Sequence, residues 1–268
     1  MPTALPEAVT QDPLWGEAVR APKVYHPAKF GDKLIIAMGE MLAPYGPLDI
    51  LDPFAGTGRI HELQALGHRT VGVEIVPQYA ELHPDTILGN SLYLTSAVGN
   101  RRAQAIACSP CYGNRLSDHH SNKDLCKRCR GEGVEEGRSG KPCRVCLGAG
   151  ISMRHSYTHD LRRMTGDQTL QLDDDNAGKM VWGPKYRAFH EKVWIQVPGL
   201  LLPPALFLLN CKDFIKDKER QEVTRWHVET LEKLGFKVLK WELCDTGGLR
   251  QGANRERFPE DLVLLQLP

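Results

Sequence analysis

The chain has 268 residues, 41% hydrophobic and 25% charged, which is enough apolar material for a sizeable α/β core, and its net charge of +1 excludes a polycation overall. Met1 to Val19 holds no sustained apolar run, and the apolar run Leu200 to Leu209 is broken by Pro203-Pro204. Neither a secretory leader nor a membrane span is therefore expected, and the protein reads as soluble and cytoplasmic. Charge is unevenly placed, with 13 Lys/Arg against 6 Asp/Glu between Arg101 and Arg163, a local excess of +7 that suits a polyanion-facing surface.

In chain order, Lys29 to Leu42 carries apolar residues at helical spacing and ends before Pro44. PLDILDPFAGTGR follows as a short strand running into a glycine-rich turn. Ile60 to Leu66 reads as a helix, Thr70 to Ile75 as a strand, and Pro77 to Leu82 as the start of another helix. Ala103 to Ala107 is a third strand and delivers CSPCY to its carboxyl end. Such alternation predicts a mostly parallel sheet with crossover helices, whose ligands bind beyond the carboxyl ends of the strands. Periodicity is lost from about Gly113 to Lys179, an interval too long for an ordinary loop. It returns as a helix over Tyr186 to Val197, a turn and strand in PGLLLPPALFLLNCKDF, and a helix from about Glu219 to Leu234. Phe236 to Glu242 and Asp261 to Leu267 complete the chain as an antiparallel edge hairpin.

Two stretches carry chemistry. In DPFAGTG, Gly56 and Gly58 permit close approach of a ligand to the backbone, and no Gly-Lys-Ser/Thr follows, which argues against a triphosphate loop. Glu74 ends the next strand, where a carboxylate can accept from two ribose hydroxyls. Ser109-Pro110-Cys111-Tyr112 sets a hydroxyl, a proline, a thiol and an aromatic at the carboxyl end of the third strand.

Together these motifs resemble the amino-directed S-adenosylmethionine-dependent DNA methyltransferases. The resemblance implies a Rossmann-like α/β methyltransferase fold, with Asp52, Pro53, Phe54, Gly56 and Gly58 cradling the methionine part of S-adenosylmethionine and Glu74 holding its ribose. It reaches back to His26-Pro27-Ala28-Lys29-Phe30, where Pro27 and Lys29 would close over the cofactor. It reaches forward to Gly89-Asn90-Ser91, where Asn90 stands in place of the family's frequent acid at the adenine amine. Ser109, Pro110, Cys111 and Tyr112 match the catalytic tetrad, with Cys111 in place of the second proline. That cysteine gives a Pro-Cys pair similar to the nucleophile segment of the cytosine carbon-5 enzymes, so a thiolate mechanism stands as an alternative.

CKRCRGEG from Cys126 and CRVCLGAG from Cys143 are two copies of Cys-x-x-Cys-x-Gly-x-Gly. Cys126, Cys129, Cys143 and Cys146 at this spacing predict one tetrahedral, structural zinc site that folds a polar insertion. The repeat resembles the zinc-binding repeats of DnaJ-type chaperones over this short stretch alone. The lone His119 and His120 read as surface or DNA-facing residues, and Cys108 as packed at its strand end.

The division expected is a cofactor and catalytic half over 1-112, a zinc insertion over 113-180 and a returning core half over 181-268. Arg128, Arg130, Arg138, Lys141, Arg144 and Arg154 in the insertion are candidates for phosphate and base contacts with double-stranded DNA. The function implied by the resemblance is site-specific methylation of a flipped base, as in restriction-modification, with cytosine N4 favoured over adenine N6. The alternatives are carbon-5 methylation through Cys111 and a non-catalytic zinc-dependent DNA-binding protein. Monomer and homodimer both stay open.

Overall fold

The computed structural model describes residues 31–111, 169–216, 219–244 and 259–268, together with 125–126, 128–134, 140–143, 146, 148, 150, 161–162 and 164–167 of the polar interval. Among these residues a seven-stranded sheet has the order β3-β2-β1-β4-β5-β9-β8. Its strands are β1 (Asp49–Asp52), β2 (Arg69–Glu74), β3 (Thr86–Leu88), β4 (Ala103–Cys108), β5 (Leu201–Cys211), β8 (Lys237–Cys244) and β9 (Glu260–Gln266). The first five run parallel, and β9 is antiparallel to both of its neighbours. This is the Rossmann-like α/β fold expected from the sequence, with the expected antiparallel pair at the edge.

Parallel strands must be covered on both faces, and the period of two along β4 shows how this is met. Ala105 and Ala107 face α1 (Asp32–Leu42), packing with Leu206, Leu208, Leu262 and Leu264. Helix α1 presents Leu34, Ile35, Met38, Met41 and Leu42 to that layer, the apolar stripe of an amphipathic helix. Ile106 and Cys108 point the other way, into a core with Phe207, Leu209, Val263 and Leu265. Helices α4 (Pro184–Trp194) and α5 (Val223–Lys233) cover this face through Phe189, Val193, Trp194, Val228 and Leu231. Two shorter helices, α2 (Pro77–Ala80) and α3 (Leu94–Val98), complete the crossovers.

Two expected elements differ. Arg59–Leu66 is a 3-10 helix flanked by left-handed glycines, Gly58 at φ 77° and Gly67 at φ 90°. Its tight turn sets Ile60 and Leu63 three apart on the buried side, and His61 ties it to the strands by bonds to the Thr70 and Thr86 hydroxyls, 2.7 and 2.8 Å. The helix expected from Glu219 begins at Val223. Residues Glu219–Gln221 (β7) instead pair with Phe214–Lys216 (β6) in a separate hairpin. Asp213 fixes that arrangement, accepting from the Arg220 Nε at 2.9 Å and from the otherwise orphaned Thr224 amide of the first helical turn at 3.0 Å. No helix among the described residues is long and apolar enough to cross a membrane.

Candidate active site and metal centre

Strand order reverses between β1 and β4, which lie side by side with Ile50 opposite Ala105 and Leu51 opposite Ile106. Their carboxyl ends flank a switch-point crevice, the usual ligand position in an open α/β sheet. DPFAGTG forms one wall and Ser109-Pro110-Cys111 begins the other.

The glycine turn holds its shape through positive φ at Gly56 (55°) and Gly58 (77°), and through the Gly58 amide donating to the Ala55 carbonyl at 2.9 Å. Glu74 sits beneath it. One carboxylate oxygen accepts from the Gly56 amide at 2.9 Å and the other from the Val76 amide at 2.8 Å. A carboxylate offers about four lone-pair directions, so Glu74 keeps acceptor capacity beyond these amides. Burial raises the Glu74 carboxyl to about 7, against the lowering by these amides. Asp52 is fully buried. Its Oδ1 accepts from the Phe54 amide at 2.8 Å, while Oδ2 has no partner. Burial, opposed by the Phe54 amide and reinforced by Glu74, pushes the Asp52 carboxyl up to about 8.

Asn90 closes one side of the crevice. The Gly89 amide donates to the Glu74 carbonyl at 2.9 Å, and the Ser91 hydroxyl bonds the Pro53 carbonyl, so the β3 end is stitched to both cradle walls. Asn90 Oδ1 accepts from the Leu92 amide at 2.9 Å, and its Nδ2 donates to Asp175 at 3.2 Å. Sequence reasoning missed Asp175, which arrives from 85 residues away. Phe54 lies against Phe189, His190 and Trp194, with ring centroids 6.2, 5.5 and 5.7 Å away. His190 bonds the Tyr186 carbonyl through Nδ1, leaves Nε2 unpartnered, and is driven by burial to about 3, hence neutral.

Ser109 and Pro110 stand at the end of β4, as the sequence suggested. Cys111 is half-buried and lies between two apolar clusters, one of them the main core. It packs against the cluster of Val76, Tyr79, Leu161 and Leu172, and burial, with Glu74 adding to it, lifts its thiol to about 12. Tyr112, Pro27 and Lys29 lie outside the described residues.

All eight cysteines are free thiols. Cys126, Cys129, Cys143 and Cys146 are buried together, with ligand atoms within 4.8 Å of one another. The Cys126 and Cys143 sulfurs are 3.9 Å apart and those of Cys129 and Cys146 3.5 Å. A tetrahedral ion with zinc–sulfur bonds of about 2.3 Å requires edges of about 3.8 Å, so the donor set fits. The two knuckles clasp each other: Cys126 N donates to Gly150 O at 2.9 Å and Cys143 N to Gly133 O at 2.7 Å. A Cβ on Gly133 would meet the Gly148 carbonyl at 2.5 Å and one on Gly150 the Gly131 carbonyl at 2.3 Å, so both glycines are required. Cys108 is no ligand; it is packed in the core. A second grouping, His61, His83 and Asp85, carries no comparable fit: both His61 nitrogens are bonded to threonines and His83 stacks on its ring at 3.7 Å.

The chain matches no protein-family model and no curated protein. Among solved structures it is similar to TrmN from Thermus thermophilus, at 12% identity and TM-score 0.45, covering 88% of this chain and 48% of that one. It thus spans about half of that protein's length. It is also similar to the glycopeptide N-methyltransferase MtfA complexed with S-adenosyl-L-methionine, at 13% identity and TM-score 0.48, covering 93% and 100%. A third is the 1,6-didemethyltoxoflavin-N1-methyltransferase of Burkholderia thailandensis, at 12% identity and TM-score 0.45, covering 88% and 79%. These likenesses are remote and carry no argument about substrate.

Proposed function

We propose that the protein is an S-adenosylmethionine-dependent methyltransferase that modifies the exocyclic amino group of a base in duplex DNA, cytosine N4 in preference to adenine N6. One observation supports this most: an orphaned buried carboxylate oxygen on Asp52, the Glu74–Gly56 cradle and Ser109-Pro110 all converge on one switch-point crevice. Asp52 Oδ2 suits the ammonium of the cofactor's methionine end, and Glu74 keeps lone pairs for its ribose hydroxyls. Asn90 and Asp175 face the adenine edge, where Asp175 supplies a carboxylate that position 90 lacks.

When bound, the cofactor supplies an electrophilic methyl group. Ser109 Oγ and the Pro110 carbonyl accept the two amine hydrogens, turning the nitrogen lone pair out of conjugation and aiming it at that methyl. Tyr112 would stack on the extruded base. The carbon-5 alternative needs a thiolate at Cys111, and the packing of that side chain among apolar groups, Val76 and Tyr79 included, speaks against it. A non-catalytic DNA-binding protein would have no use for the Asp52 and Glu74 arrangement.

A zinc ion on Cys126, Cys129, Cys143 and Cys146 would have four protein ligands and no open position, hence a structural role. Arg128, Arg130 and Lys141 are exposed around these knuckles and suit phosphate contacts. The test is incubation with labelled cofactor and diverse duplex DNA, nuclease digestion and mass analysis of nucleosides. Label in 4-methylcytosine or 6-methyladenine supports the reading; 5-methylcytosine, or no transfer to any DNA or RNA, rejects it.

A further inference from the structure

Among the described residues β8 closes one end of the sheet, with β9 on one side and no strand on the other. Its burial pattern is exposed from Lys237 through Leu243. Trp241 and Leu243 lie on one face, 43% and 68% exposed, and the Trp241 indole is fixed by donation to Asp261 at 2.8 Å. Lys240 and Glu242 lie on the opposite face, bonded to each other at 2.6 Å and both about half exposed. An edge this apolar invites another strand.

We infer that the β8 edge pairs with the same edge of a second copy of this chain, antiparallel, with Trp241 on the two-fold axis. The charges favour one register, because of the centres from Leu239 to Leu243 only Trp241 sets Lys240 opposite Glu242. A two-fold axis joining two edges into one sheet must stand perpendicular to it, so only residues of the same face can oppose each other. Centring on Lys240 sets lysine against lysine, and centring on Glu242 sets glutamate against glutamate, both destabilising. Centring on Trp241 places Lys240 opposite Glu242 of the other copy on one face, twice over. On the other face it stacks the two indoles and sets Leu243 near Leu239, itself 47% exposed.

The edge also carries a limit. Register shifts between Val238 and Lys240, leaving Leu239 outside the β8–β9 ladder. Such a bulge twists the strand and discourages open-ended pairing. The ladder between copies is therefore short and the association concentration-dependent. Because the axis is perpendicular to the sheet, the carboxyl edges of the parallel strands in the two copies face opposite ways, so each crevice works alone.

The experiment is sedimentation of the full chain across a low- to high-micromolar series, with the charge variants Lys240→Glu and Glu242→Lys. Each single change opposes like charges in the selected register and is expected to give monomers. Each also breaks the Lys240–Glu242 pair within its own chain, so a folding defect would persist on mixing. Mixing the two variants makes every cross-strand pair opposite in sign, and a heterodimer of wild-type affinity or better is expected. Cofactor affinity per chain should stay unchanged in all of them. A wild-type chain that stays monomeric over the whole series overturns the inference. So does a dimer that both single variants leave intact, or two monomeric variants that do not associate when mixed.

Discussion

Asp52 gives the most exposed prediction, because its ionisation should be tied to cofactor binding. In the free protein its carboxyl is raised from 3.8 to about 8, chiefly by burial, with Oδ2 unpartnered. The sign for stability follows: protonated Asp52 is the favoured folded form, so its contribution is whole below the unfolded value near 3.8 and is lost as pH climbs toward 8. An ammonium group demands the ionised form, so binding must expel the proton. At ~1.4 kcal/mol per unit, binding at pH 6, about two units below that value, carries a penalty of ~2.7 kcal/mol, or about a hundredfold in affinity. The penalty shrinks to about tenfold at pH 7 and fades above pH 8. Glu74, raised to about 7, adds a second, smaller dependence below that pH. Calorimetric titration with S-adenosylmethionine in buffers of different ionisation enthalpy reads both affinity and proton release. Asp52→Asn should abolish the steeper dependence, weaken binding at pH 9 far more than at pH 6, and flatten the pH dependence of melting. Affinity that stays flat from pH 6 to pH 9, with no proton released, would refute the assignment of Asp52.

Ser109→Ala should lower turnover by about two orders of magnitude with little change in cofactor affinity, as expected for an acceptor used in the transition state. Cys111→Ala should retain activity, read by nucleoside mass analysis, since the thiol forms no bond to the base. Elemental analysis should find about one zinc per chain, and chelation should increase amide exchange first across Cys126 to Cys146 while the sheet persists. Asp175→Asn should weaken S-adenosylhomocysteine while leaving its 6-deaminated inosine analogue nearly unaffected, measured by competition. Trp194→Ala, which empties a fully buried site beside Phe207 and His227, should cost about 3–5 kcal/mol in a denaturant melt.

Much of this molecule was legible because its signals are local. LDILD, TVGVE and AQAIAC are apolar runs ended by turns, and the duplicated Cys-x-x-Cys-x-Gly-x-Gly announces its own geometry. Strand β3 escaped because three residues carry no period. The β6–β7 hairpin escaped because its polar residues match an amphipathic helix as well as they match a strand, and the Asp213 contacts that decide between them are tertiary. Asp175 was invisible for the same reason, since no pattern near Asn90 points 85 residues onward. The neighbours of Cys111 in sequence suggest a thiol that could face a base, whereas its packing against Val76 and Tyr79 is decided by the fold.

That packing has a wider consequence. Val76 and Tyr79 follow the strand that carries Glu74, and they share one apolar cluster with Leu161 and Leu172, on the returning side of the zinc insertion, and with Cys111 at its start. The end of the strand that carries Glu74 and the two roots of the cysteine-bearing interval are therefore a single packed unit. Two ligands that rest on one unit obey reciprocity: whatever factor metal occupancy contributes to cofactor affinity, cofactor occupancy must return to metal affinity. Zinc retention during dialysis against a chelator thus becomes a gauge of the crevice, and its slowing by S-adenosylhomocysteine would measure the coupling from the side where no chemistry takes place.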